Sequence, residues 1–325
     1  MKKVNEKAFF SEVLGNRNEE KGFDISSRLE RYGNAHKRAL QQVKYIQDKV
    51  VSQSSSVVES KYRNLARSIE KCGSWLVFRD FYTINQQILI QADFCKKHLL
   101  CPLCAIRRGA KYLESYHLKY LQCLKENNKL NAYMVTFTIR NSEDLKERTN
   151  TLLKSYRKLI NDARNFNNNK KGYEYNEACK ALGGVYSVEI KRGKNSNLWH
   201  PHIHAIWLCE DEPDEFKLKE DWKKVTKDSH MVNIKLFYGD LIKSFCEVFK
   251  YALKFSSMSL EDTWFAYQVL SGKRLIGNFG ILRGVKVDDE LLDKPIDEDL
   301  PYVDLFYKYL FDGQYELVKT VERSD

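Results

Sequence analysis

At residues 198–208 the chain reads LWHPHIHAIWL, which places three of its seven histidines at every second position. Side chains two apart on a β-strand point to one face, so His200, His202 and His204 share a face while Pro201, Ile203 and Ala205 share the other. Imidazoles on one strand face can converge on one metal ion. A second group of ligand-type residues stands upstream, where Cys95, His98, Cys101 and Cys104 follow a Cys-x2-His-x2-Cys-x2-Cys spacing. Four such donors suit a tetrahedral structural Zn²⁺, with Cys72 the alternative to His98 as the fourth ligand. A third stretch, DLIKSFCEVFKYALKFS at residues 240–256, reads as an amphipathic helix. At about 100° per residue, Glu247, Lys250, Tyr251 and Lys254 fall on one arc, and Leu241, Phe245, Val248, Phe249, Ala252, Leu253 and Phe255 fall on the other. A phenol, a carboxylate and two ammonium groups on one arc are either a solvated helix face or a nucleophile with its supporting charges.

The elements that must position these groups are partly legible. Residues 184–191, GVYSVEIK, and residues 199–208 read as strands, and the turn-rich RGKNSNL between them predicts a hairpin. With the turn at residues 193–197, Glu189 comes roughly opposite His202, and directly opposed side chains share a face. Glu189, His202 and His204 then form an open site of two imidazoles and one carboxylate. That donor set suits Mn²⁺ or Mg²⁺ bound together with a substrate phosphate. A slip of one residue would turn Glu189 away. His200, one step further along the strand, is placed for a contact with the phosphate or with a ligand. Residues 132–140, AYMVTFTIR, predict another strand, and residues 150–167 a helix. Arg107, Arg108, Lys111 and Lys119 follow the cysteines on a predicted helix, where they either contact DNA phosphates or face solvent. Cys123, Cys179, Cys209 and Cys246 lack ligand spacing and read as core residues.

Composition narrows the partners. Of 325 residues 43% are hydrophobic, enough for a sizeable core, and the formal charge of +10 with a pI near 9.0 suits a polyanion. No apolar run approaches a membrane span, and the first twenty residues lack an apolar signal core, so the expected location is cytoplasmic. Cysteines there serve as thiols or metal ligands rather than disulfides. The expected fold class is α+β: a central antiparallel sheet flanked by helices, with a zinc-bearing N-terminal module. The expected divisions are a polar helical segment (1–70), a zinc-binding and basic-helix module (71–125), a catalytic domain (126–286) and an acidic tail (287–325).

His202-Ile203-His204 is a His-hydrophobe-His motif. With Tyr251-x-x-Lys254 after it, the chain resembles the HUH endonuclease superfamily, and within it the plasmid rolling-circle replication initiators that use one catalytic tyrosine. The matching blocks run in order: FCKKHLLCPLCAIRRGAKYL at 94–113, MVTFTIRN at 134–141, VEIKRGKNSNLWHPHIHAIWL at 188–208, EVFKYALKFS at 247–256 and GKRLIGNFG at 272–280. Conjugative relaxases usually place the tyrosine before the histidine motif, and here it follows. The resemblance implies an HUH-like sheet and a metal-dependent nicking and joining reaction. Tyr251 would attack the scissile phosphate, leaving a 5′-phosphotyrosine and a free 3′-hydroxyl primer, with Lys254 or Lys250 neutralising the phosphate. Glu247, one turn before Tyr251, would activate water at termination. The implied partners are plasmid origin DNA, single-stranded or hairpin at the nick, and host helicase and polymerase; a dimer is one expected assembly. An HUH-type transposase would instead show a second catalytic tyrosine, and a non-catalytic zinc-containing DNA-binding protein would bind DNA without forming an adduct.

Overall fold

Among the described residues there are two antiparallel sheets, each accompanied by helices, as the α+β expectation requires. This computed structural model describes residues 25–50, 52, 56–193, 196–236, 248–249, 258–296 and 300–322. The chain divides into two units, one of Tyr112–Val287 and one of Met1–Lys111 with Asp288–Asp325.

The unit of Tyr112–Val287 is built on a five-stranded sheet of order β6-β3-β5-β4-β7. Its strands are β3 (Asn131–Thr138), β4 (Ala181–Arg192), β5 (Trp199–Cys209), β6 (Val232–Leu236) and β7 (Ile276–Gly280). Strand alternation sends Ile203, Ala205 and Trp207 to one face, where α4 (Leu145–Asn167) covers them. The Trp207 indole donates to Tyr156 Oη at 3.2 Å, and the Phe137 ring packs against Tyr156, Trp207 and Trp222 at centroid distances of 5.2, 5.6 and 4.9 Å. The helix begins before the predicted residue 150 because the Asp144 carboxylate caps it, accepting from the Glu147 N–H at 2.9 Å. Beyond the sheet lie α5 (Glu215–Thr226) and α6 (Leu260–Leu270). Gly280 closes β7 with φ +60°, and a Cβ there would meet the Leu182 carbonyl at 2.0 Å, so the β4–β7 edge requires glycine.

The other unit holds a sheet that the sequence reading does not anticipate, of order β2-β1-β8-β9. β1 (Trp75–Phe81) and β2 (Gln86–Ala92) form a hairpin, and β1 also pairs with β8 (Val303–Tyr309), which in turn pairs with β9 (Tyr315–Glu322). Leu76, Phe78, Leu89 and Tyr307 are buried, and the Arg28 guanidinium of α1 (Ile25–Tyr45) lies 4.9 Å from the Phe78 ring centroid. Gly33 of α1 lets the helix meet the turn between β8 and β9, since a Cβ there would stand 1.7 Å from the Gly313 carbonyl oxygen. A second helix, α2 (Ser56–Glu70), precedes β1, and α3 (Pro102–Glu126) follows β2. The division between the units falls within α3, after Lys111. Among the described residues no helix is long and apolar enough to cross a membrane.

Candidate functional site

The predicted hairpin forms in the predicted register. Glu189 stands directly opposite His202, Ser187 opposite His204 and Lys191 opposite His200. Glu189 Oε2 lies 3.0 Å from His202 Nε2 and 3.0 Å from His204 Nε2, and its other oxygen pairs with the Lys191 ammonium at 3.0 Å. The far nitrogen of each ring is also engaged, His202 Nδ1 by the His200 carbonyl at 3.3 Å and His204 Nδ1 by the Thr136 hydroxyl at 3.2 Å. Each Nε2 can donate to Glu189 Oε2, and the oxygens at Nδ1 could instead take the ring proton there, were an ion to bind, which would leave both Nε2 lone pairs directed at it. All three ligand atoms lie within 4.8 Å of one another.

The electrostatics favour the ligating forms. Burial pushes the His202 pKa down, so its imidazole is neutral at pH 7. For Glu189 burial acts upward, but the contacts with His202, His204 and Lys191 outweigh it and hold the carboxyl well below the usual carboxylate range. The His202 side chain is 3% exposed and that of His204 16%, so the cluster is walled on one side and open on the other. His200 is not among the converging ligands; its ring stands 5.3 Å from that of His202, and its Nδ1 contacts Asn141 Oδ1. Ser187, Lys191 and Thr136 are the supporting residues that sequence reading missed. Strand parity could have named the first two, which flank Glu189 two residues away on each side.

Glu247, Lys250, Tyr251 and Lys254 lie outside the described residues, as does most of the predicted helix over residues 240–256. Two residues of that stretch are described, Val248 and Phe249, both buried. The Val248 carbonyl accepts a hydrogen bond from Ser187 Oγ, the side chain opposite His204. Phe249 stacks on Tyr112 and Tyr116 at 5.7 and 5.3 Å. Val248 is thereby tied to Ser187, two residues before Glu189 on the same face of the strand.

A second cluster forms in the unit of Met1–Lys111 and Asp288–Asp325. Cys72 lies just before β1 and Cys95 just after β2, so the hairpin brings their thiols together; Cys101 and Cys104 arrive at the start of α3. The Sγ–Sγ distances are 3.4 Å for Cys72–Cys104, 3.6 Å for Cys95–Cys104 and 3.6 Å for Cys72–Cys101. Those values approach the edge of about 3.8 Å expected for a tetrahedron with metal–sulfur bonds of about 2.3 Å. Sulfur–sulfur hydrogen bonds from Cys101 and Cys104 draw the Cys95 thiol well below its usual range, while Cys101 is pushed up by the same contacts. His98 does not join them, which corrects the primary reading: Cys72 supplies the fourth donor, and His98 Nδ1 is buried with no hydrogen-bond partner.

The expected phosphate contacts on α3 are also revised. Arg107 is 1% exposed, and its guanidinium donates to Asp293 Oδ1 at 2.6 Å, to the Leu291 carbonyl at 2.6 Å and to Tyr32 Oη at 3.0 Å. Arg28 reaches the same Asp293 at 2.8 Å, so two buried guanidiniums share one carboxylate held well below its usual pKa. Lys111 is buried and lies 3.7 Å from Asp288. Neither residue faces solvent, whereas Arg108 is half-buried and Lys119 contacts Gln122 at 3.2 Å on the surface.

Comparison with known proteins comes to the same region of sequence. The profile of a family described as "Replication protein" matches residues 86–305, more than half of the chain. The curated "Protein rep" of Streptococcus pneumoniae serotype 2 (strain D39 / NCTC 7466) is 25% identical over 252 residues, covering 70% of this chain and 73% of that protein. No solved structure gives a significant match.

Proposed function

The chain belongs to the replication protein family, and from that premise we propose that it initiates plasmid replication by nicking and rejoining one DNA strand at the origin. The observation that carries the reading is the convergence of Glu189, His202 and His204 on one sheet face, with Ser187 of the same strand face bonded to the Val248 carbonyl. Glu189 Oε2 and the two Nε2 atoms form a mixed oxygen and nitrogen donor set, which fits Mn²⁺ or Mg²⁺. An ion bound there supplies positive charge that polarises the scissile phosphate. The chain's own residues do the rest. Tyr251 attacks phosphorus through its phenolic oxygen, the P–O3′ bond breaks, and the products are a 5′-phosphotyrosine and a 3′-hydroxyl primer. Lys254 or Lys250 neutralises the phosphate, His200 stands at the rim for a phosphate contact, and Glu247 takes a proton from water when the covalent link is finally hydrolysed. Lys191 fixes Glu189 through the oxygen that the imidazoles leave free.

For the cysteine cluster we propose Zn²⁺ on Cys72, Cys95, Cys101 and Cys104. Four thiolate donors with no position left for substrate match a structural ion.

The test is a denaturation-resistant adduct between the protein and labelled single-stranded origin DNA in the presence of Mn²⁺. Tyr251→Phe keeps the ring and removes only the attacking oxygen, so the adduct vanishes while origin binding persists. Origin binding by the wild-type protein with no adduct under any divalent ion would leave a binding protein in place of an enzyme.

A further inference from the structure

The four-stranded sheet has two unlike faces. One carries Leu76, Phe78 and Tyr307, all buried. The other carries Trp75, Phe306, Lys308 and Lys319 in cross-strand rows, around the buried Val77 and beside the Arg79–Asp304 ion pair. Trp75 pairs with Lys308 across β1 and β8, and Phe306 pairs with Lys319 across β8 and β9. In each row the cation lies near the ring: the Lys308 ammonium is 5.5 Å from the Trp75 centroid and the Lys319 ammonium 5.6 Å from that of Phe306. At the end of the same face the Arg79 guanidinium stands 3.8 Å from the Tyr302 centroid.

Two features make this face more than a solvated sheet surface. Trp75 is 44% exposed although its strand pairs on both sides, so its indole remains accessible to a further planar ring. Lys308 stands opposite Glu316 in the ladder, yet its ammonium lies over Trp75, and among the described residues neither Lys308 nor Lys319 forms an ion pair. Rings that offer a π-face, with unpaired cations beside them, are the pattern that takes a base by stacking and its phosphate by charge, without reading sequence. A peptide would satisfy the rings and leave both ammonium groups unmatched unless it were acidic; a DNA strand supplies a planar ring and an anion in every nucleotide.

We propose that this face binds single-stranded DNA without sequence preference, with bases stacked on Trp75 and Phe306 and phosphates met by Lys308 and Lys319. The proposal takes from the replication reading only the choice of DNA, and it does not need the Glu189 cluster to cut. It gives the protein a second hold on DNA, on the unit that carries no proposed nicking chemistry.

The experiment uses the full chain with His202→Ala, so that no strand is cut, and fluorescent oligothymidylate as the probe. Trp75→Ala should weaken binding about 5- to 100-fold, and Trp75→Phe should restore most of the loss because a ring returns. Lys308→Ala combined with Lys319→Ala should lower the slope of log affinity against log salt by about 1.4, at about 0.7 per phosphate on a single strand. Trp75, Lys308 and Lys319 are exposed, and a melting transition unchanged from that of the His202→Ala protein identifies variants that remain folded. Wild-type affinity and wild-type salt slope in these folded variants would overturn the proposal. So would a Trp75→Ala protein that loses self-association while keeping its DNA affinity, which would assign the face to a second copy of the chain. Failure of the wild-type protein to form a phosphotyrosine adduct would leave this result standing, since the probe is read in a cleavage-dead background.

Discussion

The two ligand clusters are assembled in opposite ways. Glu189 and His204, the outermost of the first set, are 15 residues apart on one hairpin, and the open side of that set leaves His204 16% exposed. The sulfur set draws on Cys72 and Cys104, 32 residues apart, needs a hairpin and a helix start to come together, and buries Cys101 and Cys104 completely. A local, open set can accept an ion and a substrate together, whereas a set gathered from separate elements and closed over serves to hold those elements in place. On the proposed reading, replaceable chemistry and permanent structure are divided between the two units.

The strongest way to break this comparison is to exchange the damage. Cys104→Ser should remove zinc and unfold the unit that contains β1, because a structural zinc contributes on the order of 10 kcal/mol to folding. His202→Ala should abolish Mn²⁺-dependent cleavage while metal analysis still finds about one zinc per chain. An equal loss of zinc in both variants would show that the clusters are not independent. A smaller effect is expected at Asp293→Asn, which leaves Arg28 and Arg107 buried without a counter-charge; chemical denaturation should report a loss of about 3–5 kcal/mol, with nicking chemistry kept in the folded fraction. Next in size is Glu247→Ala, which should still form the phosphotyrosine link but release it about 10²-fold more slowly, so that covalent complex accumulates in a time course. If that variant instead loses the first cut, Glu247 acts on Tyr251 or on the metal rather than on water. The smallest effect belongs to His98→Ala, which should keep full zinc content and change stability by no more than about 1 kcal/mol, because His98 donates to nothing in the sulfur cluster.

What could be read from the sequence follows the same division. The Glu189, His202 and His204 set was legible because strand parity and one short turn fix it, and β4 and β5 adopt the expected register. Cys72 was harder to rank above His98, since it lies 23 residues before Cys95 and only the β1–β2 hairpin joins them. Arg107 looked like a phosphate contact because nothing on its own helix reveals Asp293, 186 residues later. The four-stranded sheet escaped notice for a similar reason: β1 pairs with β8 far along the chain, and an acidic stretch between residues 287 and 304 disguises the approach to a strand. Local periodicity carries pairings between neighbours and is silent about partners that only the completed fold supplies.

The pairing of β1 with β8 also sets a timetable. Every strand of the five-stranded sheet has been synthesised before Val303 exists, while β1 and β2 must wait for their third strand. At about 5–20 residues per second, roughly 10–40 s separate Phe81 from Val303 on the ribosome. For that interval the β1–β2 hairpin lacks the cross-strand partner that completes its sheet, and the exposed edge of β1 is open to pairing with another nascent chain. The cysteine cluster is complete in sequence from Cys104 onward, so an ion captured there could hold the hairpin closed until its partner arrives.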